Sequence, residues 1–163
     1  MADDLIYWED LQPGEALDIG SHTFAADEIV AFARRFDPQP FHIDPAAAKK
    51  SSFGGLIASG WHTCAIAMRL MVDTYIGRSA SLGSPGLDNI RWLAPVRAGD
   101  TITYRRQIIA ARPSESKPGV GLVQTRWEAS NQRGEMVMTM EGWGMFGRRP
   151  AGASASDRSG RSP

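Results

Sequence analysis

At the centre of the chain lies SGWHTCAIAMRLMVDTYI, residues 59–76, an apolar segment that indicates the fold class. A helix with almost no polar side should be buried on most sides. His62, Arg69 and Asp73 interrupt the segment, whereas a membrane span needs about 20 mostly uncharged apolar residues. We therefore predict a long buried core helix and no membrane partner.

After this segment, hydrophobic residues alternate with polar ones as in strands, and before it a short strand is predicted after the Pro13–Gly14 turn. The predicted strands are 18–24, 87–96, 101–111, 122–130 and 135–146. Pro95–Asp100 and Asn131–Gly134 look like hairpin turns, so the strands that they join should be antiparallel neighbours. A sheet that wraps around the apolar helix would bury both, which predicts an α+β fold.

Between the first strand and the core helix, the sequence predicts an amphipathic helix followed by a long loop. Asp27 is expected to cap that helix, and Pro38 should end it at about Asp37 because the residue before a proline avoids the α conformation. Residues 38–56 then form an irregular segment of a length that is usually functional. Within it, Asp44 is expected to cap a short helix.

This loop carries a carboxylate and an imidazole, Asp37 and His42, on a chain stiffened by Pro38 and Pro40. Such a pair can exchange protons with a substrate near neutral pH. The prolines lower the entropy cost of holding both groups around one water molecule. An aspartate before a proline is also a common turn residue, and a lone loop histidine is often structural.

The start of the core helix supplies a possible third part of a site. Backbone amides at Ser59 and Gly60 should lack partners in the helix, and glycine lets a ligand approach closely. They could stabilise charge on a carbonyl oxygen. Trp61 is a candidate for the wall of a substrate pocket, and His62 is interpreted as a packed or hydrogen-bonded histidine.

Three motifs resemble the MaoC-like dehydratases, a family that includes the (R)-specific enoyl-CoA hydratases and has the hot-dog fold. They are DPQPFH at 37–42, GGLIASG at 54–60 and PVRAGD at 95–100. The order of elements agrees with the family over roughly residues 6–147. The resemblance implies a hot-dog domain and a hydro-lyase of fatty acid metabolism that acts on enoyl-CoA or 3-hydroxyacyl thioesters.

The resemblance also implies roles for individual residues. Asp37 and His42 match the catalytic pair of the family. Gly55 and the helix start at Ser59 and Gly60 lie where the family holds the thioester carbonyl. The implied reaction is reversible syn addition of water to a 2-enoyl thioester, with no cofactor other than the CoA that carries the acyl group.

Three positions depart from the family pattern: Phe36 replaces a glycine, Gln39 an asparagine and Ser59 a histidine. Two other hypotheses therefore stay open. One is an acyl-CoA thioesterase, which usually needs a carboxylate or hydroxyl on the core helix; Asp73 lies far from the helix start. The other is an acyl-thioester-binding protein without catalytic activity.

Composition narrows the possible partners. The chain has 18 Lys and Arg and 18 Asp and Glu without a basic stripe, so no nucleic-acid partner is expected. One cysteine, Cys64, excludes a disulfide framework and favours the reducing cytoplasm. The spacing of His22, His42 and His62 does not fit a metal site.

The domain organisation is expected to be simple. Residues 1–148 are predicted to form a single hot-dog domain, and 149–163, which contain no large apolar residue, a disordered tail. Because so small a sheet leaves one face uncovered, we expect a homodimer or a dimer of dimers.

Overall fold

The computed structural model describes residues 5–151, whose strands form one five-stranded antiparallel sheet. The strands are β1 (Ala16–Thr23), β2 (Gly86–Trp92), β3 (Thr101–Pro113), β4 (Val120–Ser130) and β5 (Met136–Gly147). Their order in the sheet is β1-β3-β4-β5-β2. A long helix packs against the sheet, and the predicted α+β arrangement is confirmed.

Four helices lie between β1 and β2. They are α1 (Ala26–Phe36), α2 (Pro40–Ile43), α3 (Pro45–Lys50) and α4 (Gly60–Thr74), and short 3₁₀ turns lie at Trp8–Asp10 and Ile76–Arg78. The helix α4 is the predicted core helix. Its buried side packs with residues of β3, β4 and β5, including Tyr104, Ala129 and Met138, in one hydrophobic cluster.

The predicted irregular segment is more ordered than expected, because it contains α2 and α3. Pro40 and Pro45 each occupy the first position of a helix, where the fixed φ of proline fits and its missing amide costs nothing. Asp44 caps α3 as predicted and accepts hydrogen bonds from the amides of Ala46 and Ala47 at 2.8 and 3.2 Å.

The prediction for the start of α1 is wrong. The helix begins at Ala26 with Ala25 as its N-cap, so Asp27 lies inside the first turn, where its carboxylate accepts from the Glu28 amide. A negative charge at that position still interacts favourably with the helix dipole. The predicted end at Asp37 is confirmed, since Asp37 is the C-cap.

One of the two predicted hairpins is confirmed. Asn131–Gly134 joins β4 and β5, which are antiparallel neighbours. Pro95–Asp100 does not join neighbours, because β2 pairs with β5 whereas β3 pairs with β1 and β4. The Asp100 carboxylate closes this turn on the Arg97 amide at 2.9 Å, and the turn hydrogen-bonds to Phe24 after β1.

The expectation that α4 is buried on most sides is wrong for one face. Ala67 and Met71 are buried in the core, but Trp61, Met68 and Val72 are 56%, 52% and 41% exposed. The sheet of a single chain covers one side of the helix and leaves these side chains open to solvent.

The predicted domain bounds, 1–148 and 149–163, stay predictions, since residues 1–4 and 152–163 lie outside the described part of the chain. Within residues 5–151, no helix is long and apolar enough to cross a membrane.

Candidate active site

The structure brings Asp37 and His42 together. Asp37 follows the last turn of α1, and His42 lies in the single turn of α2. His42 Nε2 is 3.3 Å from Asp37 Oδ2, and the two side chains are 6% and 19% exposed. The bend between the two helices is closed by a hydrogen bond from the Gln39 amide to the Asp37 carbonyl at 2.8 Å.

The hydrogen bonding of His42 determines which ring nitrogen can act as a base. Nδ1 lies 2.7 Å from the carbonyl oxygen of Ile57, which can only accept a hydrogen bond. The proton of the neutral ring is therefore on Nδ1. The lone pair of Nε2 then points toward the carboxylate of Asp37, so a water molecule that donates to both groups would satisfy two facing acceptors.

Both oxygens of the Asp37 carboxylate have protein donors. The Ser59 hydroxyl donates to Oδ2 at 2.7 Å, and the Gln39 side-chain amide donates to Oδ1 at 2.8 Å. Burial opposes ionisation of this carboxyl, but these hydrogen bonds, together with the positive charge of His42 when its ring is protonated, outweigh burial and lower its pKa below the ordinary value. Asp37 is therefore a carboxylate at neutral pH.

Ser59 joins this carboxylate to the core helix. It is fully buried, and it is the N-cap of α4, where its hydroxyl oxygen accepts from the Trp61 amide at 3.3 Å. The same hydroxyl donates its proton to Asp37. Ser59 thus links Asp37, one of the predicted acid–base residues, to the start of α4.

Gly60, the first residue of α4, has an amide that finds no acceptor among the described residues, as expected for the first turn of a helix. The indole of Trp92, at the end of β2, packs directly on the α carbon of Gly60. An added Cβ would lie 2.3 Å from the Trp92 ring. Only glycine leaves room for this contact.

A pocket of about 400 Å³ opens beside these groups and is lined mainly by apolar side chains. His42, Gly60 and Trp92 are among the residues that line it. Of the predicted site residues, His42 and Gly60 line this pocket and the other four do not. Asp37 contacts His42, and Ser59 precedes Gly60. Gly55 lies beside the Arg97 guanidinium, and Trp61 is largely exposed and makes an edge-to-face contact with Trp92.

Sequence reasoning missed three contributions to this site. The Ile57 carbonyl left no sequence signal, because any residue supplies a carbonyl. Gln39 was noted as a departure from the family pattern but not as a partner of Asp37. Trp92 comes from a strand about 30 residues beyond Gly60, and only the pairing of β2 with β5 brings it here.

Asp73 lies away from this site. It is in the last turns of α4, half exposed, and pairs with Arg69 at 2.7 Å. Across residues 5–151, no group of three or more His, Cys, Asp or Glu side chains is arranged to hold a metal ion.

Comparison with known proteins identifies the family and the fold of the chain. The family model described as "MaoC like domain" matches residues 10–128. The solved structure of a MaoC-like dehydratase from Rhodospirillum rubrum is 41% identical with a TM-score of 0.82, over 89% of this chain and 99% of that one.

Two further relatives are more distant. The 3-hydroxyacyl-thioester dehydratase Z of Mycobacterium tuberculosis is 34% identical over 89 residues, which are 53% of this chain and 59% of that protein. A second protein of that organism, described as having a double hot-dog fold, is 18% identical with a TM-score of 0.73, over 91% of this chain and 46% of that one. This last likeness concerns the fold alone.

The five-stranded sheet and the core helix form a hot-dog fold, which is the fold class of the solved MaoC-like dehydratases. The chain belongs to the MaoC-like dehydratase family. The resemblance to the MaoC-like dehydratases and the predicted hot-dog fold are both confirmed.

Proposed function

We propose that this protein catalyses the reversible hydration of a 2-enoyl thioester carried on CoA. The observation that carries the proposal is the contact between His42 Nε2 and Asp37 Oδ2, 3.3 Å apart, because His42 lines a pocket that also includes Gly60 at the start of α4. The relative named as a 3-hydroxyacyl-thioester dehydratase would catalyse the reverse direction of this reaction.

In the proposed mechanism, a water molecule binds beside the contact between His42 and Asp37 and donates one hydrogen bond to each side chain. Nε2 of His42 removes one proton from the water, Asp37 accepts the other in a hydrogen bond, and the hydroxide adds to the β carbon. The imidazolium then gives its proton to the α carbon. The hydrogen and the oxygen are therefore added to the same face of the double bond. Syn addition follows, and the enzyme returns to its starting protonation state.

The start of α4 supplies the third part of the site. As water adds, negative charge develops on the thioester carbonyl oxygen, and we propose that it accepts a hydrogen bond from the Gly60 amide, which has no acceptor within residues 5–151. The positive end of the α4 dipole favours the same charge. Addition of water requires proton transfer but no oxidation or reduction, so we propose that the enzyme uses no cofactor. CoA is part of the substrate and carries the acyl group.

The apolar lining of the pocket suits an acyl chain better than a charged substrate. Cys64, the one cysteine of the chain, fits the reducing cytoplasm in which we propose the enzyme acts. We also propose that the chain forms a homodimer, because Trp61, Met68 and Trp92 leave an apolar face exposed where α4 meets β2.

The test is a hydration assay with crotonyl-CoA that follows loss of the enoyl absorbance. We expect His42→Ala and Asp37→Asn each to lower kcat by about 10²- to 10⁴-fold, the range for removal of a general acid or base. Circular dichroism checks that both variants are folded. Wild-type activity in both variants would refute the proposed mechanism.

Asp73→Asn is the matched control, because Asp73 is an exposed carboxylate on the same core helix. The hydratase proposal predicts unchanged hydration by this variant. A thioesterase would instead release free CoA thiol from the wild-type protein without hydration, and would lose that activity in Asp73→Asn if Asp73 were its carboxylate.

A further inference from the structure

A second cluster of titratable side chains lies between α1, β1 and α4, and the proposed mechanism does not use it. We call it the Glu28 cluster; it consists of Glu28, His22 and His62. Nε2 of His22 lies 2.9 Å from both carboxylate oxygens of Glu28, and Nε2 of His62 lies 3.2 Å from Oε1. One carboxylate of α1 thus contacts the strand before it and the core helix after it.

His62 is held in a single orientation. Its side chain is 3% exposed, its ring is stacked on Phe32 with centroids 4.5 Å apart, and the ring of Phe24 meets it edge-on at 4.9 Å. Because the carboxylate of Glu28 only accepts, the proton of the neutral ring is on Nε2. Nδ1 is buried and has no hydrogen-bond partner within the described residues.

The charges of the cluster follow from its surroundings. Burial lowers the pKa of His62 more than the contact with Glu28 raises it, so this imidazole is neutral at cellular pH. Burial alone would raise the pKa of the Glu28 carboxyl, but the hydrogen bonds from the two histidines outweigh burial and lower it. Tyr104 faces the cluster from β3, and burial raises its pKa so far that it stays neutral.

The position of the cluster relates it to the candidate active site. Glu28 is in the first turn of α1, and Asp37 follows the last turn of the same helix. The helix α1 is therefore tied to the start of α4 twice, by the Asp37–Ser59 hydrogen bond at one end and by the Glu28–His62 hydrogen bond at the other. A helix held at both ends cannot slide or rotate freely against its neighbour.

We propose that Glu28 is a positioning residue for the hydration site. Through His62 and His22 it holds α1 against α4 and β1, and so fixes the distance between the Asp37 carboxylate and the Gly60 amide. This inference rests on the proposed function, because that distance matters only if both groups act on one substrate. A small change in such a distance lowers kcat more than it weakens substrate binding.

The test compares Glu28→Gln with Asp27→Asn. Both substitutions replace a carboxylate with a carboxamide, but the Asp27 carboxylate accepts from the Glu28 amide and does not bond to either histidine. We expect Glu28→Gln to lower kcat for crotonyl-CoA about tenfold while KM changes less than about twofold, and Asp27→Asn to behave as wild type. Glu28→Ala should lose more activity than Glu28→Gln. A fall in melting temperature with kcat unchanged would mean a purely structural role and overturn the proposal.

A second measurement does not depend on turnover. In ¹⁵N–¹H NMR spectra, Glu28→Gln should shift the Gly60 amide and the ring nitrogens of His42, and Asp27→Asn should leave them in place. If the wild type hydrates no enoyl thioester, the proposed function fails, and these shifts still test whether Glu28 controls the geometry. If the wild type is active and Glu28→Gln matches Asp27→Asn in both measurements, the inference about Glu28 fails.

Discussion

Asp37 is oriented by two side chains, Gln39 and Ser59, at two of the positions where the resemblance implies a departure from the MaoC-like pattern. Gln39 is longer by one carbon than asparagine and reaches back to Oδ1, and Ser59 reaches Oδ2 from the start of α4. Both differences therefore concern the same carboxylate. They keep it hydrogen-bonded and ionised, and they leave the contact with His42 in place.

We predict that Ser59→Ala lowers both activity and stability. Without the Ser59 hydroxyl the Asp37 carboxylate is held less firmly beside His42, so kcat should fall by about one order of magnitude. Loss of a hydrogen bond to a charged group should lower the free energy of unfolding by about 1.5–3 kcal/mol. Loss of the N-cap should lower the free energy of unfolding by about 1 kcal/mol. Crotonyl-CoA hydration and urea unfolding measure the two effects.

Ser51→Ala is the matched control for this prediction. The Ser51 hydroxyl also bonds to the backbone at a helix end, but it donates to Ala48 and has no contact with Asp37. This variant should keep wild-type kcat. Equal activity of Ser59→Ala and Ser51→Ala would show that the hydroxyl of Ser59 does not serve the carboxylate.

At the scale of single residues, the acid–base pair could be predicted from the sequence, but only some of the groups around it could. Asp37 and His42 are five positions apart in the chain, and the prolines between them restrict the backbone, so local patterns suffice. The tautomer of His42 depends on the Ile57 carbonyl, 15 residues away. The sequence carries no signal for such a contact because it involves a backbone atom.

At the scale of elements, local patterns predicted strands better than strand order. The predicted strand 122–130 agrees with β4, whose residues alternate between buried and half-exposed positions, and the turn Asn131–Gly134 gives its pairing with β5. The turn Pro95–Asp100 has equally typical turn residues but joins β2 and β3, which lie apart in the sheet. Strand order depends on contacts between distant segments, which turn chemistry does not encode.

The contact between α4 and β2 leads to a prediction about Gly60. In an exposed helix, replacing glycine with alanine usually stabilises by about 0.5–1 kcal/mol. Here the added methyl group would overlap the Trp92 indole, so we expect Gly60→Ala to destabilise the protein by about 1–3 kcal/mol in urea unfolding.

The control for this prediction is the same substitution in a Trp92→Ala background. With the indole removed, Gly60→Ala should become neutral or stabilising, and the double-mutant cycle should give a coupling of more than about 1 kcal/mol. Additive effects would mean that the indole of Trp92 does not pack on Gly60 in solution.

At the scale of the whole molecule, the sheet buries one side of α4 and leaves the other side apolar. Met68 and Val72 of α4 and Leu87 and Trp92 of β2 are each more than two-fifths exposed, and β2 is an edge strand. An edge strand beside an apolar helix face can pair with a second chain, which would cover both. The opposite edge of the sheet, β1, carries the more polar Asp18 and Ser21.

We therefore predict that the protein in solution has a mass of twice 17.7 kDa, or a multiple of that value, by light scattering after gel filtration. Met68→Lys should shift it toward monomer, because a charge cannot be buried without a partner at an apolar interface. Ile109→Lys is the matched control: Ile109 is 43% exposed but lies on β3, away from α4 and β2. A wild-type mass of 17.7 kDa would refute the dimer, and equal masses for Met68→Lys and Ile109→Lys would place the interface elsewhere.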